Sequence, residues 1–154
     1  MKFPSLNLPP CRLRTRLNPA GWTEVWDSQR KKYVKLTPEE WVRQHFVRYL
    51  IDHLGYPAGV IGNEIQIAVG NTDKRCDSVV FSSEGKPLVI LEYKAPQVEL
   101  TQKVFDQIVR YDTALQVPYL VVSNGHQHYC CRLRTEEHRF EFLQAIPRWE
   151  EIQP

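Results

Sequence analysis

The sequence predicts an α/β domain, with a central mixed β-sheet flanked by helices. Three observations carry that prediction. Residues 37–54 have the start signal, the periodicity and the stop signal of a helix. Three strand-like stretches follow in a row, and a second helical pattern separates them from two more. A chain of 154 residues, 42% hydrophobic and 25% charged, holds one such core and has no room for two large ones.

Residues 1–36 read as an N-terminal arm of the same domain, and 37–154 as its core. The arm is irregular, with Pro4, Pro9, Pro10 and Pro19, and it carries Trp22, Trp26 and Tyr33. Within it, EVWDSQRKKYVKL reads as a short β-hairpin about a polar turn. Disordered tails are poor in tryptophan, so the arm is expected to pack. The first helix opens on Thr37-Pro38-Glu39-Glu40, which supplies an N-cap threonine, a proline in the first turn and a capping-box glutamate, Glu40. Val42, Phe46, Leu50 and Leu54 form its apolar face, and Gly55 and Pro57 stop it.

EIQIAV (64–69) alternates, with Ile65, Ile67 and Val69 on one face. DSVVF (77–81) and PLVILEYK (87–94) flank a polar stretch containing Gly85, which predicts a hairpin with Phe81 opposite Leu88. A second helix over 101–116 directs Val104, Ile108 and Leu115 inward, and PYLVVSN and HYCCRLR are strands. The tail, with Phe140, Phe142, Leu143 and Trp149, is expected to pack. The chain has no internal repeat and no low-complexity segment.

Net charge is +2. That balance permits a nucleic-acid partner without arguing for one, and the runs Arg12, Arg14, Arg16 and Arg30, Lys31, Lys32 read as solvated surface. Cys11, Cys76, Cys130 and Cys131 show no C-x-x-C spacing, which suits neither a disulfide framework nor a zinc site. With no signal peptide and no apolar run of membrane-spanning length, the expected location is cytoplasmic, with no membrane partner.

Chemistry concentrates at the end of the third strand. Strand side chains alternate, so Leu88, Ile90, Glu92 and Lys94 share one side, and the charged pair continues an apolar row. The hairpin register then sets Asp77 directly across from Glu92, with Cβ atoms roughly 4.5–5.5 Å apart. Two carboxylates that close require a positive group between them. Mg2+, with Mn2+ as the alternative, takes hard oxygens from one or two carboxylates and completes its shell with waters and phosphate. Lys94 would hold or help deprotonate a water, so the three residues assemble what phosphodiester hydrolysis needs. The plainer alternative is a surface hairpin with ordinary charges.

Gln107 and Tyr111 lie four apart on the second helix, with Lys103 and Arg110 flanking that side, and would bond phosphate or brace the carboxylates, or else form a half-exposed helix surface. Glu64 opens the first of the three strands beside Asp77 and is either a further metal ligand or a strand-end surface carboxylate. His126 and His128 lack a third ligand and read as a surface pair. Arg43 and Gln44 would meet DNA phosphate or merely coat a helix.

Asp77, the LEYK holding Glu92 and Lys94, and Gln107-x-x-x-Tyr111 together resemble the PD-(D/E)XK nuclease superfamily. The long stretch from VWDSQRKKYVKLTPEEWVRQHFVRYLIDHLGYP through KRCDSVVF and LEYKAP resembles the small proteins related to the N-terminal nuclease region of type I restriction R subunits. The resemblance implies a restriction-endonuclease-like core and Mg2+-dependent DNA cleavage. Asp77, Glu92 and Lys94 would be catalytic, with Gln107 and Tyr111 in support. It also implies DNA and restriction-modification subunits as partners, and a homodimer as one route to cutting both strands. Cys76 stands where the superfamily name has proline. No G-x-x-x-x-G-K-[ST] loop is present, so these residues hold no ATPase motor. The competing expectation is a nuclease fold that no longer cuts and docks DNA or a restriction partner. The blandest is an interaction domain with no nucleic-acid role.

Overall fold

The computed structural model describes residues 3–134 and 139–152. The arm folds into three short antiparallel strands, β1 (Thr15–Leu17), β2 (Thr23–Asp27) and β3 (Lys32–Lys35), in the order β1-β2-β3. The β2–β3 pair is the predicted hairpin, with Trp26 opposite Tyr33. The third strand, β1, is exposed along its whole length and so offers no apolar alternation to foresee it by.

Helix α1 (Pro38–Leu54) begins where the cap signals place it, with the Thr37 hydroxyl accepting from the Glu40 N–H at 3.1 Å. Gly55 ends it in the left-handed region, where glycine carries no Cβ penalty, and its N–H reaches the Leu50 carbonyl. Val42, Phe46, Leu50 and Leu54 are all buried. The Glu40 carboxylate turns inward to Arg30, Arg43 and Gln44, so its part in a capping box is taken over by this network.

The second sheet contains β4 (Ile61–Val69), β5 (Thr72–Phe81), β6 (Pro87–Tyr93), β7 (Tyr119–Ser123), β8 (His128–Arg134) and β9 (Arg139–Leu143) in sequential order. Among the described residues only β6 and β7 pair in parallel, and α2 (Gln102–Thr113) makes the crossover between them. A short α3 (Trp149–Ile152) follows. The mixed sheet with helices is therefore the fold class the sequence predicts.

Several boundaries differ. β4 starts earlier than expected, at Ile61, and β5 at Thr72, so the two form a long hairpin closed at Val69 and Thr72; polar Asp73, Lys74 and Arg75 mask the start of β5. β9 is a strand where only packing was expected. α2 stops at Thr113, and Leu115 is buried from the turn beyond it. Phe81 pairs with Pro87, not Leu88. An irregularity between Val80 and Phe81 absorbs the slip, and Val80–Val89, Val79–Ile90 and Ser78–Leu91 then follow the expected register.

The sheet is buried on both faces, which is why β6 reads as a near-continuous apolar run. On the α1 side, Phe46, Leu50, Val80, Leu91, Tyr93 and Val121 pack together. On the α2 side, Val79, Ile90, Phe105, Ile108, Leu120 and Val122 do so. Each such side chain contributes about 1.5–3 kcal/mol. Cys76, Cys130 and Cys131 are small core side chains, and burial pushes each thiol up to about 12. Among the described residues, no helix is long and apolar enough to cross a membrane.

Candidate functional site

A cleft of about 440 Å3 opens between the ends of β5 and β6 and the face of α2. It brings together Asp77, Glu92, Lys94, Gln107 and Tyr111, five residues chosen from sequence, and adds Lys74. The β5–β6 ladder stops at Ser78–Leu91, one step short of Asp77 and Glu92. There the Asp77 Oδ2 accepts the Tyr93 N–H at 2.8 Å. A main-chain donor thus fixes one Asp77 oxygen and leaves the other for the cleft.

Glu92 is 8% exposed, and its Oε1 accepts from the Lys74 ammonium at 2.7 Å. Lys74 also bonds Asp112 of α2. Asp112 Oδ2 is buried and has no hydrogen-bond donor among the described residues while Glu92 is ionised; a protonated Glu92 supplies one. Burial, then the charges of Asp77 and Asp112, push the Glu92 carboxyl up to about 8 against the opposing pull of Lys74. Asp112 is raised by burial as well. Both carboxylates raise Lys74, by more than burial lowers it. The cleft floor therefore gathers more carboxyl groups than its bonded cation can keep ionised together.

Lys94 makes no side-chain hydrogen bond or ion pair among the described residues, so its ammonium is available to a ligand. Gln107 and Tyr111 stand on the cleft wall, and Tyr111 is 60% exposed. Neither bonds the carboxylates; they are open to something entering from solvent. Lys103, Asp106 and Arg110 continue this wall into a neighbouring open pocket shared with Gln107 and Tyr111.

Lys74 and Asp112 are the site residues that sequence reasoning missed. Strict alternation would put Lys74, three residues before Asp77, on the opposite face. The structure breaks that parity. Asn63–Ser78 and Ile65–Cys76 pair on either side, but Glu64 between them has φ 56 and drops out of the ladder, so Cys76 and Val79 both face α2. Asp112 had one available signal: a carboxylate in the last turn of a helix opposes the helix dipole and needs a local reason.

Behind the cleft, on the α1 side, the main chain of Asp77 is held from below. Arg43, 6% exposed, donates to the Asp77 carbonyl at 2.5 Å and to both oxygens of Glu40 at 3.1 and 2.9 Å. Arg30 joins Glu40 at 2.7 Å and also bonds Asp27. Asn63 donates to Asp27 at 3.0 Å and accepts from Ser78 at 2.6 Å, and Ser78 in turn accepts the Tyr93 hydroxyl at 2.9 Å. Arg43 and Gln44 are thus buried framework, not a phosphate-facing surface.

The remaining candidates fall elsewhere. Glu64 lies across from Asp77 in register, but its carboxylate points to Arg43 at 3.3 Å and Arg75 at 3.6 Å, and it does not line the cleft. Both ring nitrogens of His128 are engaged, with Ser123 Oγ at 2.7 Å and the Asn7 carbonyl at 2.8 Å, so it holds the arm and binds no metal.

An α/β fold with this cleft belongs to a class that comparison with known proteins narrows. Residues 38–147 match the family described as type I restriction enzyme R protein N terminus (HSDR_N), and the chain belongs to that family. Among solved structures it is similar to a fragment of a candidate HsdR subunit of a type I restriction enzyme from Vibrio vulnificus YJ016. The TM-score is 0.53 and identity 16%, over 76% of this chain and 24% of that one, so the likeness is one of fold. A candidate nuclease of the DUF820 group from Anabaena variabilis ATCC 29413 matches with TM-score 0.48 and 11% identity over 87% and 86% of the two chains. No curated protein gives a significant match.

Proposed function

We propose that the chain is a divalent-cation-dependent endodeoxyribonuclease domain of the type I restriction R-subunit N-terminal kind. It would hydrolyse DNA phosphodiester bonds, with no ATPase loop in these residues. The observation that carries this reading is the convergence of Asp77, Glu92 and Lys94 in one cleft of a chain from that family.

The donor set suits Mg2+, or Mn2+ in its place. Asp77 and Glu92 offer hard oxygens from neighbouring strands, and water and phosphate would complete the shell. The Asp112 oxygen that lacks a donor while Glu92 is ionised and the raised Glu92 both mark a place short of positive charge. Among the described residues no three His, Cys, Asp or Glu side chains form a cage, and Mg2+ in nucleases needs none. Glu64, expected as a further ligand, is taken by Arg43 and Arg75 and is left out.

When bound, the ion supplies positive charge to the scissile phosphate and makes water more acidic. The chain's own residues do the rest. Asp77 is held rigid by the Tyr93 N–H, and Glu92 acts after giving up its proton. The free Lys94 ammonium orients the attacking water and offsets charge building on the phosphate. The Gln107 amide and Tyr111 hydroxyl hold phosphate oxygens at the cleft mouth. DNA and restriction subunits are the partners this implies, in the cytoplasm, and a second copy would supply the second active site that a double-strand cut uses.

One observation favours a rival reading, in which the fold docks DNA or a restriction partner without cutting. Lys74 already bonds Glu92 and Asp112, a cation built into the metal's place. Cleavage of plasmid and linear DNA with Mg2+ or Mn2+ decides. Asp77→Ala and Lys94→Ala should each lower the rate by about 10²–10⁴-fold. Cleavage that survives both substitutions overturns the assignment, and DNA affinity with no cleavage by the unmodified protein supports the rival.

A further inference from the structure

We propose that the outward face of the N-terminal sheet is a phosphate-binding platform that docks duplex DNA onto this domain. The face lies outside the family match, which begins at residue 38. It rests on the nuclease reading only for DNA as the polyanion.

Charge along the chain is lopsided. The first 37 residues hold eight of the twenty Lys and Arg and two of the eighteen Asp and Glu, which gives +6 in a chain of net +2 and leaves −4 on the remainder. A core of net −4 with carboxylates in its cleft attracts a polyanion weakly, apart from Lys94, Lys103 and Arg110 on the cleft wall, and the arm carries the compensating positive charge.

The register places that charge on one face. Arg16, Glu24 and Lys35 are cross-strand neighbours, and alternation adds the Trp26–Tyr33 pair, with Arg14 and Trp22 flanking the strands on that side. The opposite face turns Val25 and Asp27 into the core, 0% and 1% exposed. On the outer face the Arg16 guanidinium sits 3.8 Å from the Tyr33 ring centre, and Arg14 sits 5.5 Å from Trp26. Lys35 Nζ lies 5.1 Å from the Trp22 ring. The one carboxylate there, Glu24, is bonded by Arg16 at 2.9 Å.

This stacking matters in two ways. It holds long cationic side chains in place before binding, so less rotamer entropy is lost when a ligand arrives. It also covers the Trp26 and Tyr33 rings, so the face presents positive charge and not free rings for unstacked bases. Guanidinium groups match phosphate geometry, and phosphate contacts position a duplex without reading its sequence. The platform is fixed to the site. Arg30, in the β2–β3 turn, bonds the same Glu40 that holds Arg43 under Asp77, and Gln29 reaches the Ala58 and Ile61 carbonyls at 2.7 and 2.8 Å.

The test is anisotropy of a fluorescein-labelled random-sequence duplex in EDTA, where nothing is cut, between about 50 and 200 mM salt. The triple variant Arg14→Gln, Arg16→Gln, Lys35→Gln should bind at least tenfold more weakly. Its log–log salt slope should be shallower by about 0.9 for each phosphate that is no longer neutralised. Glu24→Gln should act in the opposite direction and tighten binding. Circular dichroism melts and calorimetric titration with Mn2+ should leave the triple variant like the unmodified protein, which shows the fold and the cleft intact. Unchanged affinity and slope in the triple variant overturn the platform, as does binding to phosphatidylserine vesicles through these residues with none to duplex. A protein that binds through this face yet never cuts overturns only the nuclease reading.

Discussion

On the α1 face of the sheet, two arginines are bonded to two buried carboxylates; on the α2 face, one lysine is bonded to two, with a third beside them. Burial alone would raise Asp27 and Glu40. Hydrogen bonds from Asn63 and Arg30 outweigh it at Asp27, and those from Arg43, Gln44 and Arg30 outweigh it at Glu40, so both stay below the usual carboxylate range. Glu92 and Asp112 are instead lifted, and one Asp112 oxygen has no donor among the described residues while Glu92 is ionised. A finished ionic network is framework, and an unfinished one is a place for something to bind. The two lie back to back, joined through Asp77, whose carbonyl is held from one side while its carboxylate serves the other.

The comparison is broken most forcefully at Arg43. Arg43→Met leaves Glu40 buried with part of its partners gone and frees the Asp77 carbonyl. Removing one partner of a buried pair costs about 3–5 kcal/mol. Urea unfolding in EDTA should show a loss of that size. A loss below about 1 kcal/mol means that the α1 network is decoration and that the contrast fails.

The matching change on the other face should have the opposite sign. The folded Glu92 carboxyl sits at about 8 against an ordinary value of 4.5. Between those values the folded chain keeps a proton that the unfolded chain has shed, so this group's contribution to stability falls as pH rises through that window. Glu92→Gln removes the penalty. The metal-free variant should be more stable than its parent near pH 9, by up to about 5 kcal/mol, and nearly equal to it near pH 4. A variant less stable than its parent at high pH would show that Lys74 satisfies Glu92 after all.

How much of this was legible in the sequence follows from which regularities hold. The caps of α1 and the β5–β6 hairpin depend on strict periods of 3.6 and 2 and read directly; Asp77, Glu92 and Lys94 line one cleft as expected, although the ladder ends before an Asp77–Glu92 pair. The expected Phe81–Leu88 pair was off by one, yet the register above it held because a bulge took up the slip. Lys74 was invisible for the converse reason. The break at Glu64 inverts parity below Asp77 without shifting the β4–β5 register: the positive φ of Glu64 takes one residue pair out of the ladder, and the side chains beyond it change face. The same break turned Glu64 away from the cleft. Asp112 was hidden by its neighbours: the Gln107–Tyr111 face is a wall open to solvent, while the next residue carries the buried carboxyl. The β1 strand and the inward turn of Glu40 depend on packing across the arm, which no local pattern encodes.

The smallest effect joins the two faces to the metal. An ion held by Asp77 and Glu92 has to displace the proton that Glu92 keeps below about pH 8. Nothing comparable exists on the α1 side, whose carboxylates are already ionised. Apparent Mn2+ affinity, followed by calorimetry, should therefore rise as pH climbs from about 6 to about 8, by close to tenfold per pH unit, which is about 1.4 kcal/mol. Repeating the titration in buffers of different ionisation enthalpy should reveal about one proton released per ion near pH 7. Arg43→Met should leave that proton count unchanged if the variant remains folded, whereas Glu92→Gln should abolish it together with most of the affinity. A flat pH profile with Glu92 intact would mean that the ion, if it binds, avoids Glu92 and leaves it to Lys74, and the pairing of an unfinished cluster with a metal would then have to be given up.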